Sequence, residues 1–161
     1  LPEERQITTT EQLLDEMCSA LGGRAAEEIM FGKISTGALS DLEKVTKEAY
    51  MMVVYYGFNE KIGNISYYDS SGQRDMSIQK PYSEETGKLI DEEVRNLVSK
   101  AYQRTKELLQ QNQESLKSVA ELLLKKETIF KEDLEAILGK RPDEKKGSGE
   151  AREKVATAAC K

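Results

Sequence analysis

Between Ser83 and Gln111 the apolar residues Ile90, Val94, Leu97, Ala101 and Leu108 recur at helical spacing. Steps of three and four gather such residues onto one stripe of an α-helix, whereas a strand would scatter them over both faces. A stretch this long commits a large part of the chain to helix. Ser83 stands before it as an N-cap, and Glu84 and Glu85 complement the positive end of the helix dipole.

The same periodicity appears upstream. Leu14, Met17, Cys18, Leu21, Ala25 and Ile29 define a helix to about Met30, opened by Thr9 and Gln12 as a capping box. Gly22-Gly23 lies inside it. Each glycine weakens a helix by about 1 kcal/mol relative to alanine. The pair therefore marks either a close approach by another backbone or a break into two helices. Gly32 to Leu39 reads as a loop, and Ser40 with Glu43 as a second capping box. The helix that follows carries Leu42, Val45, Ala49, Met52, Val53 and Tyr56 on its apolar face and ends at Gly57 as a left-handed residue.

From Asn59 to Tyr82 the pattern changes. Ile62, Ile65 and Tyr67, then Met76 and Ile78, suggest two short strands around Asp69-Ser70-Ser71-Gly72. Beyond the long helix, Leu116, Val119, Ala120 and Leu123 make a shorter one. Phe130, Leu134, Ile137 and Leu138 make the last, ended by Gly139 and stopped by Pro142. Short connections predict that these last three helices pack as an antiparallel bundle. The expected fold class is all-α with one short β-hairpin, as a single domain over residues 1–141. Residues 142–161 lack large apolar side chains and read as a charged, disordered tail, with a frayed helix from Glu150 to Ala159 as the alternative.

Composition narrows the function. The 24 basic and 29 acidic residues are interspersed and give a net charge of −5. Phosphate binding wants a basic face, so nucleic acid is not the expected partner, and a helical nucleic-acid-binding domain is the weakest reading. The chain has no G-x-x-x-x-G-K-[ST] or G-x-S-x-G motif. With no histidine, no Ser-His or Cys-His dyad can form. Cys18 and Cys160 lie far apart with no C-x-x-C, and Cys18 reads as a small core residue. The apolar run Met51 to Tyr56 is far short of the roughly 20 residues that span a bilayer. The opening Leu1-Pro2-Glu3-Glu4-Arg5, without an initiating Met, reads as the interior of a longer polypeptide.

Chemistry concentrates around Ile34-Ser35-Thr36-Gly37-Ala38-Leu39-Ser40-Asp41-Leu42. Asp41 has two readings. Acidic residues belong in a helix's first turn, where they complement the dipole. Alternatively, Asp41 is a carboxylate ligand completing a Zn²⁺ site whose two histidines lie on another helix, one turn apart. Two histidines and one acid leave a coordination position open for water. Glu27 and Glu28 follow Gly22-Gly23-Arg24-Ala25-Ala26. Either both are solvated or one pairs with Arg24, which lies one turn from Glu28. Glu28 has a second reading as the acceptor that orients a ligating imidazole.

The order of these motifs carries a resemblance. Thr10-Glu11-Gln12-Leu13-Leu14-Asp15, Gly22-Gly23-Arg24-Ala25-Ala26-Glu27-Glu28 and Ser35-Thr36-Gly37-Ala38-Leu39-Ser40-Asp41-Leu42 resemble the FtsH family of membrane-anchored, ATP-dependent zinc proteases. So do Lys80-Pro81-Tyr82-Ser83, Ile90-Asp91-Glu92-Glu93-Val94 and Glu132-Asp133-Leu134 downstream. The resemblance covers about residues 1–142, and the opening residues resemble the segment just after the family's His-Glu-x-x-His helix. It implies a Zn²⁺ peptidase domain following membrane segments and an ATP-binding module, in a homo-hexamer that unfolds and degrades membrane and soluble proteins. It implies Asp41 as the third zinc ligand and packing of Gly22 to Glu28 near the zinc-bearing helix. It further implies the cytoplasmic side of a bacterial inner membrane, or an organellar inner membrane. The His-Glu-x-x-His helix is absent from this chain, so the chain alone is expected to be inactive and to bind Zn²⁺ weakly. A non-catalytic helical protein-interaction module is the alternative, and the coding sequence upstream of Leu1 discriminates the two.

Overall fold

A computed structural model describes residues 7–67 and 81–140. Among them lie five α-helices: α1 (Thr10–Phe31), α2 (Leu39–Val54), α3 (Glu84–Gln111), α4 (Gln113–Lys126) and α5 (Lys131–Leu138), with one 3-10 turn at Thr36–Ala38. The chain divides after Gln111 into two compact units.

The first unit packs α1, α2 and α3 together. Helix α1 opens as its sequence requires. Thr9 Oγ1 accepts from the Gln12 amide at 3.3 Å, and the Thr9 amide donates to Gln12 Oε1 at 2.9 Å. The helix runs unbroken through Gly22-Gly23, and a Cβ added at either position would meet nothing within 4 Å. The pair is therefore neither a break nor, among the described residues, a site of backbone contact. Met17, Cys18 and Leu21 of α1 bury against Val45, Ala49 and Met52 of α2 and Ala101 of α3. Burying a side chain such as Met17 or Leu21 favours folding by about 1.5–3 kcal/mol. Small residues let α1 and α3 approach closely: Thr105 Oγ1 donates to the Cys18 carbonyl at 3.3 Å and to that of Ala101 at 2.8 Å. Cys18 is thus the small core residue that its surroundings in the sequence suggest.

Two expectations fail locally. Ser40 and Glu43 do not cap α2, because the 3-10 turn runs straight into the helix at Leu39 and leaves Ser40 inside it. Nor do the described residues contain a strand. Ile62, Ile65 and Tyr67 form an irregular loop whose amides find other acceptors. The Ile62 amide donates to Asn59 Oδ1 at 3.1 Å, and that of Tyr67 to the Val54 carbonyl at 2.9 Å. The turn Asp69 to Gly72 and the second arm, Met76 and Ile78, lie outside the described residues, as does the tail from Pro142 onward.

The described part of this loop is tied down by a carboxylate. Glu93 of α3 accepts from Asn59 Nδ2 at 2.8 Å and from Lys61 Nζ at 2.6 Å. These bonds hold its carboxyl below the usual carboxylate range. Ile62, Val53, Val54 and Ile90 form a second buried cluster beneath the loop.

In the second unit, Asp133 joins the end of α4 to the start of α5. It accepts from Lys126 Nζ at 2.6 Å and from the Phe130 amide at 3.1 Å. Helix α4 ends at Glu127 in the left-handed conformation, φ 59°.

Candidate metal centre: the bend between α1 and α2

Helix α1 stops because Gly32 adopts φ 63°, its amide closing on the Glu28 carbonyl at 2.9 Å. The chain then doubles back, bringing Ser35 against the last turns of α1. There Glu27 receives it with both oxygens: the Ser35 amide donates to Oε2 and its hydroxyl to Oε1, each at 2.9 Å. The Ser35 Oγ also accepts from the Gly37 amide at 3.2 Å, capping the 3-10 turn that feeds α2. The bonds from the Ser35 amide and hydroxyl hold the Glu27 carboxyl below its usual range. Glu27 is thus neither merely solvated nor a partner of Arg24 alone. Its role escapes sequence reasoning because its partner lies eight positions on. The usable signal is a carboxylate one turn before a glycine-terminated helix end, with a serine just past the reversal.

Asp41 lies in the first turn of α2, directly after this bend, and is exposed. Its neighbour Leu39 is 72% exposed, so the start of α2 offers a donor beside apolar surface. Glu28 sits behind the bend and ties α1 to α3. Lys106 Nζ donates to its Oε1 at 2.8 Å and the Tyr102 hydroxyl to its Oε2 at 2.5 Å. These two donors, Lys106 foremost, lower the Glu28 carboxyl. Burial, aided by Glu28, pushes the Tyr102 phenol up to about 12. Arg24, considered as a partner for Glu28, adds to this lowering through its charge, while the two donors named above come from α3.

Whether these residues fit Zn²⁺ can be asked of the donors. Among the described residues no three His, Cys, Asp or Glu side chains converge to hold a metal. An exposed carboxylate at a helix start is nevertheless a suitable single oxygen donor for zinc. The geometry therefore fits one donor's share of a site, not a whole one. No helix of the described residues is long and apolar enough to cross a membrane.

Comparison with known proteins bears on the same residues. The ATP-dependent zinc metalloprotease FtsH of Parabacteroides distasonis is 60% identical over 141 residues, covering 88% of this chain and 20% of the relative. The protein of the same name from Karelsulcia muelleri is 51% identical over 138 residues, covering 86% and 22%. The mitochondrial inner membrane m-AAA protease component AFG3L2 of Mus musculus is 51% identical over 150 residues, covering 93% and 19%. The chain thus spans about a fifth of the length of these relatives. The profile of Peptidase family M41 matches residues 1–137, taking in the first unit with the whole bend from Glu27 to Asp41 and the second unit as far as residue 137, and the chain belongs to that family.

Proposed function

We propose that this chain is the C-terminal part of the peptidase domain of an ATP-dependent zinc metalloendopeptidase, contributing Asp41 as the third metal ligand. The observation that carries this is the exposed Asp41 carboxylate at the start of α2, behind a bend tied to α1, in a chain of the M41 family. Two imidazoles from a helix outside this chain complete the ligand set. Zinc, when bound, polarises a peptide carbonyl and lowers the pKa of a water towards about 7.

The chain's own residues supply charge and placement. Asp41 brings a negative oxygen donor. Glu28, braced by Tyr102 and Lys106, backs the site and keeps lone-pair capacity to orient a ligating imidazole. The open side of α1 at Gly22-Gly23 accepts the zinc-bearing helix at close range. On this reading the whole protein couples ATP hydrolysis to degradation of membrane and soluble proteins as a homo-hexamer. Its place is the cytoplasmic side of a bacterial inner membrane, with an organellar inner membrane as the alternative.

The test uses the complete protease. Asp41→Asn is expected to strip most of the zinc and to lower casein hydrolysis by more than about 100-fold, with ATP hydrolysis retained. Full zinc content and unimpaired casein hydrolysis in that variant would sink the assignment. The purified 161-residue chain given zinc is expected to cleave no casein, and chelator-sensitive cleavage by it would contradict the need for outside imidazoles.

A further inference from the structure

We infer that Glu27 is the positioning residue of the metal-ligand bend: by gripping Ser35 through both backbone and hydroxyl, it fixes the direction in which the following helix start presents Asp41. The inference rests on Asp41 being a zinc ligand, as proposed above.

The geometry is a relay of three hydrogen bonds. Glu27 lies on the last turns of α1, a helix buried at Met17, Leu21 and Ala25, so its backbone is fixed by the core. Its two oxygens take both donors of Ser35 at 2.9 Å. Two bonds from one carboxylate to one residue fix orientation as well as position, which a single bond cannot do. Ser35, in extended conformation at φ −107° and ψ 175°, passes that orientation on through Oγ to the Gly37 amide. From there the 3-10 turn closes, with the Leu39 amide on the Thr36 carbonyl, and α2 begins. No side chain caps α2 itself, so the direction of its first turn is inherited from the bend.

Space around the relay is tight. A Cβ added at Gly37 would lie 3.3 Å from Ser35 Oγ, so even a methyl there would press on the relay. Both oxygens of Glu27 are taken by Ser35. Glu27 acts through Ser35, and its effect must appear as altered zinc affinity and ligand geometry. Residues that orient metal ligands from behind typically change metal affinity 10–100-fold when removed.

The experiment compares Glu27→Ala, Ser35→Ala, their double variant, Glu27→Gln and Asp41→Ala in the complete protease. Zinc dissociation constants come from chelator competition, ligand geometry from the visible spectrum of the Co²⁺-substituted protein, and bend order from hydrogen exchange of peptides spanning residues 33–41 without metal. Both single alanine variants are expected to weaken zinc binding about 10–100-fold and to alter the Co²⁺ spectrum. The double variant should cost less than the two singles added together, because both remove the bond from the Ser35 hydroxyl to Glu27, while each also removes one bond that the other keeps. Glu27→Gln keeps one acceptor oxygen and should recover part of the loss. If Glu27→Ala folds poorly, Ser35→Ala and Glu27→Gln still decide the matter. Unchanged zinc affinity and Co²⁺ spectrum alongside faster exchange or a lower Tm overturn the inference, leaving Glu27 a purely structural tie. If Asp41→Ala itself retains zinc, the ligand assignment falls and takes this inference with it. If Asp41→Ala loses zinc while the Glu27 and Ser35 variants keep it, only the inference falls.

Discussion

Oε2 of Glu48 is buried without a hydrogen-bond partner among the described residues. It sits on α2 between the buried Val45 and Met52, where loss of hydration raises its carboxyl above the usual range and Glu16 adds to the rise. Lys44 opposes the shift but does not cancel it. An acid whose pKa is higher in the folded chain binds its proton better there than in the unfolded one. Its contribution therefore favours folding below the ordinary carboxylate value, and is lost as pH rises through the raised one. Glu48→Gln is expected to raise Tm at pH 7, with a gain that shrinks as the pH falls below about 4. Thermal melts at the two pH values check this; an equal gain at both would trace the effect to packing instead. The residue scale also explains why Glu27 is harder to find than Asp41. Asp41 stands inside an ordered motif at a helix start, whereas the tie from Glu27 to Ser35 exists only once the chain has reversed at Gly32.

At the scale of elements, the loop after α2 shows the opposite charge effect. Glu93 is held below its usual range first by Asn59 and then by Lys61, so its bonds support folding above the ordinary carboxylate pKa and are lost as pH falls through the lowered one. Glu93→Gln is expected to lower Tm at pH 7, the deficit closing below about pH 4, as scanning calorimetry at both pH values would read. Asn59, Lys61 and Glu93 also show what the sequence hid. Ile62, Ile65 and Tyr67 resemble half a strand in spacing, yet Gly57 and Gly63 both take positive φ and curl the segment onto α3. The anchor of that loop lies 34 positions from Asn59, and no local pattern signals it. Helix α1 was legible because its capping partners stand three residues apart. Helix α3 was legible because Ser83 caps it through the Thr86 amide at 3.2 Å. The start of α2 was misjudged at Ser40 because a preceding 3-10 turn removes the need for a side-chain cap there. The zinc share proposed for Asp41 rests on the ordered motifs, since the residue type by itself equally suits a helix start.

For the molecule as a whole, the division after Gln111 decides where stability resides. Both buried clusters of the first unit draw on residues between Leu13 and Tyr102, while α4 and α5 bury no residue fully. Truncation after Gln111 is expected to leave a cooperatively melting three-helix unit, because tolerance to truncation follows the burial of the affected backbone. Loss of the cooperative transition in the truncated chain, followed by circular dichroism, would show that the second unit is needed for folding. The Glu27–Ser35 tie joins positions only eight apart. Segments of that size close in about 10–100 ns, well ahead of the docking of elements distant in sequence. A nascent polypeptide emerging as far as α2 can therefore visit this corner before α3 has been synthesised, and the core that α3 completes around Met17 and Leu21 then holds it in place.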